Sequence, residues 1–390
     1  YSLEIGFAQM MGMGGATALS ICRGRGEEKE ANRYFTVAVC TVVVVSTIVG
    51  ILGGIFWRPI AVLGGADPSI VELVGDYLRI LNGGAVVFVV NNFLGVFVRN
   101  DGNPQRVMAA GIVSCLLNIL LDYVCIFLLD WGMAGAAGAT AFSGFVSILI
   151  MLTHFKSKNC RLRLCFSDWK LFSRLKRICQ NGVSSLIAEC SAGLIILLFN
   201  IQLMNKGSVT AVTCYSIISN IAYLFLAVYN GASATLQPLC SVNLGAGCYQ
   251  RVRQFFHLGV KTVLVASGLF VLVGELFPRV IVGIFTEPTP QVVSMAVYAI
   301  RIYFIAYLPM GINIITSTFH QSLESFREAT LISLARGLIF LVPALFLLGE
   351  VFGVNGIWAT VPVCEGLTLL LSVLLLRRLF AARFPEESSS

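Results

Sequence analysis

Eleven stretches of about 20 predominantly apolar residues, each long enough to cross the core of a bilayer as a helix, can be placed along this chain of 390 residues. They fall roughly at 3–22, 34–57, 77–98, 107–129, 134–154, 178–204, 209–236, 256–285, 294–318, 328–348 and 354–376. In hydrocarbon every backbone N–H and C=O must find its partner within the protein, which leaves only helices and closed barrels. The alternating strands of about 10 residues that mark a barrel are absent, so an all-α integral membrane fold is expected. The composition agrees: 57% of the residues are apolar and 12% charged, whereas a soluble domain carries about 25% charged residues. Mean hydropathy is +0.85.

An odd number of spans puts the two chain ends on opposite sides. Taking the C-terminal side as inside places 21 of the 27 Lys and Arg there. Arg58, Arg79, Lys206, Arg279 and Arg301 fall outside, and Arg336 lies within a helix. Positive loops stay in the cytoplasm, so the expectation is a multi-pass protein with a cytoplasmic C-terminus. The net charge of +7 then follows from topology, and no nucleic-acid partner is expected.

The chain also contains a duplicated unit. ATALSICRGRGEEKEANRYF, from Ala16 to Phe35, is a degraded copy of QPLCSVNLGAGCYQRVRQFF, from Gln237 to Phe256, at an offset of 221 residues. The same offset sets Ser20 on Ser241, Gly24 on Gly245, Gly26 on Gly247, Arg106 on Arg327, Gly132 on Gly353 and Gly135 on Gly356. A constant register over so many positions marks an internal repeat. The second copy opens with the helix at 178–204, whose mate would precede Tyr1. A first helix missing from this chain is therefore expected, and with it the fold would be two pseudo-symmetric six-helix lobes. An even number of spans separates equivalent points, so the lobes run the same way, as in parallel-repeat transporters. The expected layout is an N-lobe at 1–155 with five helices, a cytoplasmic linker with a surface helix at 156–177, a six-helix C-lobe at 178–380 and a disordered tail at 381–390. In the linker, Ser167-Asp168-Trp169 reads as an N-cap and first turn, with Trp169, Phe172 and Leu175 on one face against Lys170, Arg174 and Arg177.

Ionisable and polar groups at membrane depth are costly and mark candidate sites. Ser114, Asn118 and Asp122 recur at i, i+4 and i+8, one face of a helix, and the next helix offers Thr140, Ser143 and Ser147. Carboxylate, amide and hydroxyl oxygens suit Na⁺, or a proton on a buried carboxyl. At the repeat offset Asn118, Asp122 and Thr140 fall on Ile339, Pro343 and Val361, so packing alone does not require them to be polar. The competing reading is a polar stripe near a helix end that reaches water. Glu189, mid-helix, with Ser185 one turn before it, is a second cation or proton candidate; its alternative is a hydrogen-bonded structural carboxyl. Gln237, next to a helix-bending Pro238, Ser185 and Ser114 are candidates for a substrate cavity. Arg336 and Glu365 lie at similar depths and are expected to pair structurally. The glycines of the first helix, Gly12, Gly14 and Gly15, with Ala16, read as close-packing positions.

Nothing in the sequence points to an enzyme. Its three histidines are scattered, and no phosphate loop or nucleophile elbow occurs. The twelve cysteines form no CxxC or Cys/His cluster and read as apolar packing residues. No cofactor or metal is expected beyond Na⁺ at Asn118, Asp122 and Thr140.

Four motifs, QPLCSVNLGAG from Gln237, NILLDYVCI from Asn118, GMAGAAGAT from Gly132 and ECSAGLIILLFN from Glu189, together resemble the multidrug and toxic compound extrusion (MATE) transporters, most like their DinF-like bacterial branch. The resemblance spans essentially the whole chain. It implies a V-shaped pair of six-helix lobes in a bacterial inner membrane, acting as a monomer among membrane lipids. It also implies antiport: small organic, often cationic, compounds leave in exchange for H⁺ or Na⁺. The family's N-lobe ion site has an Asn and an Asp four apart on the fifth helix and a Thr on the sixth; Asn118, Asp122 and Thr140 match them. An Asp on the family's first helix has no counterpart in this chain. Glu189 matches a seventh-helix acid implicated in coupling. The alternative is a flippase for a lipid or lipid-linked glycan, whose cavity should be rich in Arg.

Overall fold

The computed structural model describes residues 2–63, 71–166, 170–207, 209–285 and 289–383, with the side chains of 60, 63, 73, 74, 76 and 77 excepted. Apart from turns and the stretch 157–166, the described residues are helical, with no strand among them. The chain divides into two compact units, Tyr1–Gly182 and Val183–Ser390.

In the first unit α1 (Ser2–Gly24) and α2 (Glu28–Ile55) are followed by a short α3 (Trp57–Leu63). Next come α4 (Val71–Gly83), α5 (Ala85–Asn100), α6 (Pro104–Tyr123) and α7 (Gly132–Leu152). The helix α8 (Leu171–Lys206) begins in this unit and ends in the second, which continues with α9 (Val209–Gly245), α10 (Tyr249–Leu276), α11 (Pro278–Phe285), α12 (Pro290–Phe304) and α13 (Tyr307–Ser322). The chain closes with α14 (Phe326–Leu334) and α15 (Leu341–Arg383). Each apolar window falls on helix. Eight helical stretches are long and apolar enough to cross a membrane among the described residues, or nine when α12 and α13, bent by 42°, count as one. The last two windows meet in α15 at Gly353, whose φ of 59° and ψ of −139° break the helix.

The repeat is visible in backbone hydrogen bonds. After α1, Gly26 N–H donates to Arg23 O at 3.0 Å and Glu27 N–H to Cys22 O at 2.9 Å; after α9, Gly247 N–H donates to Leu244 O at 3.1 Å and Cys248 N–H to Asn243 O at 2.9 Å. Both turns need a left-handed residue, with φ of 78° at Gly26 and 74° at Gly247, and glycine adopts it without the Cβ clash. The register then slips by one residue. A single residue, Gly84, separates α4 from α5, whereas Ile305 and Ala306 separate α12 from α13. The helix-starting caps are therefore Asn103 and Ser325, and Arg106 and Arg327 are not true equivalents. Gly132 and Gly353, both at positive φ, restore the original spacing.

Small residues let helices touch, as expected of α1. A methyl group at Gly14 would overlap the Ile178 carbonyl, and one at Gly182 the Met10 carbonyl. Gly15 accommodates the Phe97 ring, 2.9 Å from where a Cβ would sit. The first unit's core gathers Phe35, Phe93 and Phe97, and the second is larger, with Trp358 fully buried and Phe225 stacked on Phe270 at 3.8 Å. The outer face of α6, with Met108, Leu116 and Ile119 exposed, has the apolar surface a lipid-facing helix requires.

The linker differs from expectation. Leu171 to Lys206 is one unbroken helix, so there is no separate surface helix among the described residues, and Ser167, Asp168 and Trp169 lie outside them. Phe172 is 81% exposed, and Arg174 is buried on Glu30, Nε to Oε1 at 2.9 Å and Nη2 to Oε2 at 3.2 Å, a bidentate guanidinium–carboxylate pair that helical periodicity does not reveal. At the other end α15 stays helical to Arg383, and 384–390, assigned to a tail, lie outside the described residues.

Candidate functional site

The polar stripe of the first unit is built on α6 and α7. Asn103 starts α6, accepting from Arg106 N–H at 3.2 Å ahead of Pro104, so successive turns carry Ser114, Asn118 and Asp122. Asn118 Nδ2 donates to Thr140 Oγ1 at 3.3 Å, and Thr140 Oγ1 donates to Ala136 O at 2.9 Å. Asn118 and Thr140 are thus brought together. Ser143 and Ser147 lie buried on the same helix, Ser143 Oγ donating to Thr140 O at 2.9 Å. Asp122, half-buried, has its Oδ1 enclosed without a hydrogen-bond partner in the protein. A buried acceptor left unpaired carries a desolvation cost, which a proton or a hard cation would relieve. Just beyond it α6 widens into a π turn, Val124–Leu128, an irregularity frequent at functional positions. No hydrogen bond to Ser114 is found among the described residues.

In the second unit Glu189 is half-buried on α8, and among the described residues no hydrogen bond or ion pair reaches its carboxylate. Ser185 instead accepts from Gln321 Nε2 at 2.9 Å. Gln237, expected to line a cavity, is fully enclosed within the unit; its Nε2 donates to Ser241 Oγ at 3.5 Å, and Ser241 Oγ donates to Ser322 O at 2.9 Å. Pro238 does not open the helix there, and close packing of α9 against α13 takes the amide into the core.

Arg336 and Glu365 pair as expected, Nη2 to Oε1 at 2.8 Å. Sequence reasoning missed the rest of this network. Asn313 Nδ2 donates to Glu365 Oε2 at 2.8 Å, and Ser372 Oγ donates to Asn313 Oδ1 at 2.9 Å. Ser372 lies seven residues beyond Glu365, on one helix face, and that spacing was the available signal. Also missed was Asp101, in the turn from α5 into α6. It is buried, forms an ion pair with Arg23 Nη1 at 2.7 Å, and accepts at Oδ2 from His154 Nε2 at 2.7 Å and the Arg161 backbone N–H at 3.0 Å. Asn103 Nδ2, 3.3 Å from His154 Nδ1, donates to that ring nitrogen and leaves Nε2 as the donor to Asp101. Nothing in the local sequence names these partners.

Helical units that hold polar and ionisable groups within long apolar helices define a polytopic membrane protein. The family model MatE matches residues 2–124 and 184–346, and the chain belongs to this family, the multidrug and toxic compound extrusion transporters. A member of it is a carrier of small molecules, spans the membrane many times and is not an enzyme. The chain is 24% identical over 383 residues to the multidrug export protein MepA of Staphylococcus aureus, covering 96% of this chain and 82% of that protein. MepA of Staphylococcus haemolyticus is likewise 24% identical, over 97% of this chain and 84% of its own length. Among solved structures, the Vibrio cholerae MATE transporter VcmN superposes with a TM-score of 0.91 at 20% identity, covering 98% of this chain and 86% of that one. An outward-facing multidrug resistance MATE transporter gives the same score, identity and coverage.

Proposed function

We propose that this protein is a secondary active multidrug exporter that moves organic, often cationic, compounds out of the cell in exchange for H⁺ or Na⁺. The observation that carries the reading is the unpartnered, buried Oδ1 of Asp122 beside the Asn118–Thr140 pair. Asp122, Asn118 and Thr140 hold the coupling cation, or Asp122 its proton, and Glu189 is a second acid able to do so. Ion binding favours one conformation and drug binding the other, which is how a ligand shifts an equilibrium. The relatives named multidrug export proteins support the substrate class. On this reading the protein works as a monomer with its C-terminus in the cytoplasm, where the excess of Lys and Arg places it.

The test is ethidium efflux from proteoliposomes under an imposed pH gradient and, separately, a Na⁺ gradient. Efflux driven by one of them and lost in Asp122→Asn or Glu189→Gln is the expected result. If both substitutions leave gradient-driven efflux unchanged, the site assignment is wrong. Folded protein that responds to neither gradient would instead favour a flippase.

A further inference from the structure

The second unit has a cavity of about 340 Å³ where the turn into α14 meets the last turns of α15. Arg327, Arg378 and Arg383 line it, against the two carboxylates Glu324 and Glu328. Arg383 Nη1 donates to Leu323 O at 2.7 Å. Among the described residues Arg327 and Arg378 make no ion pair, and Arg327 rests 5.9 Å over the Phe326 ring.

The matching corner of the first unit neutralises itself, with Arg23 and His154 on Asp101. The second unit sets Arg327 and Arg378 at a cavity with no ion pair of their own among the described residues. Guanidinium groups grouped in this way suit phosphate oxygens, which they bind through two parallel N–H groups. The floor is apolar, from Leu375 and Leu379. An apolar path also leads to the cavity. Val363, Leu367, Leu370 and Leu374 are all exposed and recur at helical spacing on one face of α15, and Arg378 is the next residue on that face. A free phosphate has no use for such a stripe; an acyl chain does.

We propose that this cavity seats the phosphate headgroup of an anionic phospholipid, with its acyl chains along the Val363-to-Leu374 face of α15. Basic pockets at helix ends are suited to such headgroups. The lipid would brace the turn into α14, as the ion pairs brace the first unit's corner.

The full chain, purified in a zwitterionic detergent, is offered phosphatidylglycerol and phosphatidylcholine of matched acyl chains, and retained lipid is read by native mass spectrometry. Phosphatidylglycerol should be preferred on the order of thirty-fold, the factor set by two arginines. The preference should vanish in Arg327→Gln/Arg378→Gln and persist in Arg251→Gln, which lies outside the cavity. Glu328→Gln, which removes a carboxylate from the lining, should raise retention about five-fold. Millimolar inorganic phosphate should leave retention unchanged. Equal retention of the two lipids by the wild type, a preference that survives in the paired variant, or weaker retention in Glu328→Gln would each overturn the proposal. Full displacement by phosphate would assign the cavity to a free anion.

Discussion

The turn from α5 into α6 and its counterpart from α13 into α14 have the same backbone course but opposite chemistry. Arg23, Asp101 and His154 meet in the first unit. Their structural equivalents, once the one-residue slip is counted, are Leu244, Leu323 and Leu375. Leu323 is buried in the second unit's core and Leu244 packs against it. The backbone course is therefore set by features the copies share. These are the glycine turns at Gly26 and Gly247 and the hydroxyl bridges that follow: Ser20 Oγ donates to Asn100 Oδ1 at 3.0 Å, and Ser241 Oγ to Ser322 O at 2.9 Å. Charge at the corner is not demanded by the fold. The same holds deeper in the helices, where Glu365 has a full set of partners and Asp122 does not. A satisfied network holds helices together; an unsatisfied carboxylate is where something else can bind.

The comparison can be broken most forcefully at Asp101. Asp101→Leu leaves the buried His154 Nε2–H and the Arg161 N–H without their acceptor and Arg23 with only Glu28, 3.5 Å away, and should cost about 3–5 kcal/mol in chemical unfolding in micelles. A loss below about 1 kcal/mol would mean that the charges do not hold the corner. Gly26→Ala and Gly247→Ala force a Cβ into the left-handed region with no other clash in reach, so each should cost about 1–2 kcal/mol. Unequal losses in the same assay would show that the two turns are not equivalent. Ser20→Ala removes its hydrogen bond to Asn100 and should cost about 1 kcal/mol; Ser241→Ala removes the bond to Ser322 together with the longer one from Gln237 and should cost about 1–2 kcal/mol. The smallest effect, and the sharpest test, belongs to Arg23→Leu/Asp101→Leu/His154→Leu, which writes the second unit's chemistry into the first. Replacing a whole buried ionic cluster by apolar groups is often neutral or stabilising, so the variant should unfold within about 1 kcal/mol of wild type or later. If it is as unstable as Asp101→Leu alone, leucines cannot do in the first unit what they do in the second.

Much of the fold was legible because its signals are local. An apolar window reports a helix wherever its neighbours lie, and a glycine that must adopt positive φ sits at a fixed offset in both copies. Arg336 and Glu365 could be paired because charges at similar depth in a bilayer have few alternatives. The candidate site was legible only in part. Helical spacing put Asn118 and Asp122 on one face, and the structure added that Thr140 reaches Asn118. The burial of Gln237 was not legible, because a proline in a helix suggests a bend without saying whether the bend faces a void or a neighbour.

What the sequence determined by itself was the membrane-helical class, the duplication and the family, all of which follow from periodicity and register along the chain. What only the tertiary structure decided was the partner of each charge: Arg174 on Glu30, His154 on Asp101, Asn313 on Glu365. Those pairs join residues dozens to more than a hundred positions apart. Electrostatic interaction depends on distance in space and on the exclusion of water, neither of which a one-dimensional pattern contains.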